Sequence, residues 1–105
     1  MDVSKTRLAA MVEDATIDCH DESEAVSGFL TMFEENLELP FETTVLGVAV
    51  TVEGLDLTDR DEIVAICVRG SVRQKLSLLD LPLPSPPPRG AEWIEAYRYW
   101  VRGSR

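Results

Sequence analysis

Between Arg7 and Arg60 the chain has no lysine or arginine at all, although it carries 10 basic residues elsewhere. The same stretch holds thirteen of its 19 aspartates and glutamates, so the formal charge of −9 is concentrated in one half of the molecule. Such a half repels nucleic acid and anionic membrane, and attracts cations or basic proteins. Histidine occurs once, at His20, and cysteine twice, at Cys19 and Cys67, with no CxxC spacing and no Cys/His pairing of the kind that binds zinc. His20, flanked by Cys19 and Asp21, reads as a surface residue beside a helix cap. Two isolated thiols in apolar segments fit a reduced chain with buried cysteines. No run of 18 apolar residues is present, and the start MDVSKTRLAAMVEDA has too short an apolar run for a signal peptide. A soluble, cytoplasmic protein is expected. No P-loop, G-x-S-x-G or dinucleotide fingerprint occurs, and paired carboxylates of the glycosidase type lack an aromatic-lined cleft, so no enzyme is expected. With 105 residues and an apolar fraction of 45%, the chain suits one domain with a genuine core.

The stretch Asp21 to Phe41, DESEAVSGFLTMFEENLELPF, carries the strongest pattern. Val26, Phe29, Leu30, Phe33 and Leu37 recur at spacings of three and four, which predicts a helix over 22–38 with one buried face. Asp21 with Glu24 fits a capping box at its start. Pro40 stops it, because a proline pushes the residue before it out of the helical region. Glu34, Glu35 and Glu38 then crowd the negative end of the helix dipole, where each exposed acid costs roughly 0.3–1 kcal/mol, and Glu34 and Glu38 repel at i,i+4. A positive charge is expected nearby.

A stripe of Leu8, Met11, Val12, Ala15 and Cys19 predicts an earlier helix over 4–18, and the short link to Asp21 makes the two a helical hairpin or angled pair. From Phe41 the period becomes two. Phe41-Thr43-Val45 and Val48-Val50-Val52 read as strands about Gly47, Glu53–Glu62 as an acidic loop, and Ile63–Arg69 with Val72–Leu78 as a hairpin about Gly70-Ser71. Short strands over 41–79 are economically buried in a small, curved, SH3-like antiparallel barrel or roll. The proline-rich 81–88 (LPLPSPPP) reads as a stiff connector rather than an SH3 ligand. Trp93, Ile94, Tyr97, Trp100 and Val101 share one face of a final helix over 90–101, expected to plug the core or pack on the first two helices. The fold class is therefore α+β.

Calcium takes six to eight oxygen ligands from segments able to bend around it. Three acidic segments offer such oxygens: Asp18, Asp21 and Glu22 in the inter-helix link, Glu34, Glu35, Asn36 and Glu38 at the helix end, and Asp56, Asp59 and Asp61 in the later loop. None has EF-hand spacing. The run HDESEAVSGFLTMFEENLELPF, the strands EIVAICV and QKLSLLDL, and the closing AEWIEAYRYWV together resemble the small non-EF-hand calcium-binding proteins described from cyanobacteria. The resemblance runs from about Asp18 to the end, with Gly28, Thr31 and Met32 standing where bulkier residues are expected. It implies a bacterial protein that binds calcium through carboxylates as a buffer or signalling component. Asp18 and Glu38 sit at opposite ends of a helix roughly 25 Å long and cannot share an ion. One principal site is therefore expected from Glu34, Glu35 and Glu38 with Asp59 and Asp61, selective over magnesium, while Asp18 would mark a separate one. The competing expectation is a non-enzymatic acidic SH3-like module that receives a basic protein partner.

Overall fold

The computed structural model describes residues 3–104. Three helices and four strands follow one another in the order α1 (Lys5–Ala15), α2 (Glu22–Asn36), β1 (Phe41–Val45), β2 (Val48–Leu57), β3 (Ile63–Arg69), β4 (Val72–Ser77) and α3 (Glu92–Ser104). They fall into two compact units, residues 3–37 with 89–104, and Glu38–Pro88.

The first unit is helical, and its helix starts are set by side chains that satisfy the free N–H groups of a first turn. Ser4 Oγ accepts from the Arg7 amide at 3.2 Å. Asp21 Oδ1 accepts from the Glu24 amide at 2.8 Å, while the Glu24 carboxylate accepts from the His20 amide at 2.9 Å, so the capping pair forms. Helix α1 ends at Ala15, three residues before its expected end, where Thr16 turns its hydroxyl back onto the Val12 carbonyl at 2.7 Å. Asp18 follows with φ 61°, a left-handed conformation that a short polar side chain tolerates. Gly28 explains the missing bulk in α2, since a Cβ there would collide with the Ala15 carbonyl and push α1 away. Helix α3 packs on both α1 and α2. Its Tyr97 ring meets Phe29 edge-on at 5.5 Å and Phe33 at 6.1 Å, and Trp100 lies 5.3 Å from Phe29. Val26, Phe29, Phe33, Ile94 and Tyr97 are buried, so the aromatic helix completes the helical core.

The second unit is an antiparallel meander with strand order β1-β2-β3-β4. Of the barrel or roll expected from the sequence, the closed barrel does not form: β1 and β4 remain the sheet's edges. The chain leaving β4 instead reaches β1 through the proline-rich connector, where Pro82 accepts a hydrogen bond from the buried Thr43 hydroxyl at 2.7 Å. Proline has no N–H to extend a ladder, so the connector shields this edge without adding a strand. The acidic loop expected over 53–62 is also shorter. Residues 53–57 continue β2 beyond a bulge at Val52/Gly54, and the true connection is 58–62. On one sheet face the cross-strand row Phe41, Val52 and Cys67 is buried. The opposite face carries Glu53, paired to Arg73 at 3.1 Å, and Asp56, paired to Lys75 at 3.3 Å, both across the intervening strand.

Candidate metal centre

At the end of α2 the Leu37 amide donates to the Phe33 carbonyl at 2.9 Å, closing the last helical turn. The carbonyl oxygens of residues 34–36 lie beyond any helical donor and carry the negative end of the dipole. Glu34 and Glu35 are both exposed, and the last turn contains no basic residue. Neither carboxylate has an ion-pair or hydrogen-bond partner among the described residues. Asn36 uses its side-chain amide on the Met32 carbonyl at 2.9 Å, and buried Gly90 lies against the Asn36 carbonyl. Arg89 is thereby tethered one residue from this helix end. Glu38 is exposed and opens the second unit.

The 58–62 connection is organised by Thr58. Its amide donates to the Glu62 carbonyl at 2.9 Å, its carbonyl accepts from Asp61 at 3.0 Å, and its hydroxyl accepts from the amides of Arg60 and Glu62. That wrapping puts Asp61 at φ 59°, half-buried, and leaves Asp59 exposed. Asp56, counted with this loop in the sequence, belongs to β2. The Leu57 amide and then Lys75 stabilise its carboxylate and hold it below the ordinary range. A lowered folded value means that this contribution to stability is present above the ordinary carboxylate range and disappears as pH falls through it. Solvent around both partners keeps it small.

The structure therefore places Glu34 and Glu35 together on one helical turn, and Asp59 and Asp61 together in one tight loop. Asp18 lies alone in the inter-helix link. Among the described residues no group of three or more His, Cys, Asp or Glu side chains is arranged to hold a metal ion, and no buried side-chain polar atom lacks a partner. The available donors are hard oxygens on the surface, which suit calcium or magnesium and not a thiolate- or imidazole-seeking metal. Cys67 is buried, which pushes its thiol up and keeps it protonated. The carbonyl oxygens that a helix end leaves without intrahelical donors were not weighed in the sequence reading, although a helix that must stop before Pro40 signals them.

No family model and no curated protein matches this chain. Two solved structures share its fold. The crystal structure of Anabaena CcbP is 18% identical, with 96% of this chain and 93% of that one aligned and a TM-score of 0.69. A calcium-binding protein in the calcium-binding form is also 18% identical, over 97% and 94% of the two chains, with a TM-score of 0.75. The α+β architecture is therefore that of these two solved structures, one of them a calcium-binding protein, in agreement with the resemblance read from the sequence.

Proposed function

We propose that this chain binds calcium through exposed carboxylates, without catalysing a reaction, and that Glu34 and Glu35 at the end of α2 supply the principal donors. The observation that carries this reading is the exposed pair Glu34 and Glu35 in a last turn of α2 without a basic residue, within a fold shared over nearly the whole chain with a protein solved in a calcium-binding form. Two adjacent carboxylates and the terminal carbonyls offer oxygens at the negative pole of a helix. Calcium tolerates an irregular set of carboxylates, carbonyls and waters, whereas magnesium requires a near-ideal octahedron and dehydrates reluctantly. An exposed set lacking a preformed cage suits rapid exchange, as a bacterial cytoplasmic buffer or signalling protein needs. A basic protein partner would engage the same carboxylates and is the second outcome of the test.

Glu35→Gln with Glu38→Gln should weaken calcium binding by at least about tenfold, or ~1.4 kcal/mol, in calorimetric titrations at 0.15 M salt. The same change should leave the calcium-free protein equally stable or more stable, because it removes charge from the negative helix end. Asp59→Asn with Asp61→Asn is the parallel test of the 58–62 connection. Affinity untouched by both double variants contradicts the proposal. So does a basic peptide that binds wild type while calcium does not.

A further inference from the structure

Helix α2 ends without a base of its own, and the fold brings one to it from far along the sequence. Buried Gly90 packs against the Asn36 carbonyl and the Leu37 backbone. Consecutive Cα atoms stand about 3.8 Å apart, so the Arg89 Cα lies within about 8 Å of that carbonyl. Pro88 and Gly90 are buried while Arg89 between them is exposed, which pins the backbone on both sides of a side chain that stays in solvent. Glu34 and Glu35 have no ion-pair partner among the described residues, so Arg89 acts on them through its field and not by contact.

Arg89 is misplaced for its own helix. The Gly90 carbonyl accepts from the Trp93 amide at 3.0 Å, so the first turn of α3 opens immediately after Arg89. A cation there faces the positive pole of the α3 dipole, where a carboxylate or a neutral capping side chain would be stabilising. The same charge is well placed for α2, whose negative pole ends at this point. Of the other described bases in the helical unit, Arg98 is paired to Glu95 at 3.3 Å, Arg102 lies in the last turn of α3, and Lys5 and Arg7 stand in the first turn of α1. Arg89 is the base that the fold sets at the end of α2.

We propose that Arg89 sets the calcium affinity of the α2 end, as a tethered cation that compensates the helix pole when the ion is absent and opposes the ion when it arrives. The proposal rests on the calcium reading above and adds the regulation of that site. A divalent ion and a unit charge about 8 Å apart in water repel enough to change affinity about fivefold at low ionic strength. Salt removes the effect, because the Debye length falls to about 3 Å at 1 M.

The test is calorimetric calcium titration of the full chain at about 0.01 M and about 1 M salt, with Arg89→Gln and Arg89→Lys beside wild type. Arg89→Gln should bind calcium about fivefold more tightly at the lower salt and equally at the higher. Arg89→Lys should match wild type, because it keeps the charge. An arginine with a purely structural role would weaken binding on removal or leave it alone. Thermal unfolding without calcium checks the placement independently: Arg89→Gln should lower the midpoint more in wild type than in a Glu34→Gln/Glu35→Gln background, where less charge awaits compensation. Unchanged or weaker binding in Arg89→Gln, a gain that survives the higher salt, an equal gain in Arg89→Lys, or additive midpoint changes overturn the proposal. Wild type that binds no calcium while the midpoints are non-additive contradicts the calcium reading itself, and with it the part of Arg89 in ion binding, leaving Arg89 as a compensator of the helix pole alone.

Discussion

Phe29→Ala should destabilise the protein by about 3–5 kcal/mol, the range for deleting a fully buried aromatic side chain. Phe29 is 0% exposed and touches two rings of α3, Tyr97 at 5.5 Å and Trp100 at 5.3 Å. The lost terms are the transfer energy of the ring, the cavity left behind, and edge and tilted aromatic contacts worth roughly 0.5–1.5 kcal/mol each. The cavity resists collapse, because Gly28 already holds α2 against the Ala15 carbonyl and Tyr97 is fixed by Phe33 on its other side. Marginal stability of about 5–15 kcal/mol makes such a loss a large fraction of the total. Urea titration followed by Trp fluorescence reads it as a lower midpoint. A loss below about 1 kcal/mol would mean that α3 is not part of the helical core.

Gly90→Ala should cost about 2–5 kcal/mol, for two separable reasons. At φ 86° an L-residue is strained by about 1–2 kcal/mol. The added methyl would also collide with the Asn36 carbonyl and the Leu37 backbone, and displacing packed backbone adds roughly 1–3 kcal/mol. Gly47→Ala is the internal comparison. Gly47 has φ 78° but open space around its absent Cβ, so only the conformational part applies. Thermal or urea unfolding of both variants should show Gly90→Ala clearly the worse. Equal losses would show that steric contact at the end of α2 contributes nothing.

What could be read from the sequence follows from what acts locally. The cap at Asp21, the stripe from Val26 to Leu37, and the turn about Gly70 depend on neighbours within a few residues, and each appears where the pattern placed it. The second half of β2 does not. Its bulge inserts Glu53-Gly54 opposite Ile66, so Val52 and Leu55 share a face at odd spacing and the two-residue alternation is broken. Its acids also imitate a loop, because the bases that neutralise Glu53 and Asp56 come from β4, about twenty residues later. The choice between barrel and roll was open for a related reason. Counting strands says nothing of which edges meet, and the connector occupies the edge at Thr43. In the candidate site, the individual carboxylates were legible as charge without compensation. Their grouping was not, since exposed side chains have no packing constraint that a pattern could express. Asp18 was readable as an acid in a link, but its left-handed backbone was not.

The central claim is that calcium binds the folded chain selectively, and thermal unfolding with added ions tests it most directly. A ligand that binds only the folded state adds about 2.7 kcal/mol at a hundredfold excess over its dissociation constant. For a chain of this size that raises the midpoint by about 10 °C, at roughly 4 °C per kcal/mol, the lower end of the range for small domains. The account predicts this rise with calcium in 0.15 M salt, a much smaller one with equal magnesium, and its loss in the Glu35→Gln/Glu38→Gln variant. A midpoint that calcium leaves unmoved, or that magnesium moves equally, would contradict it.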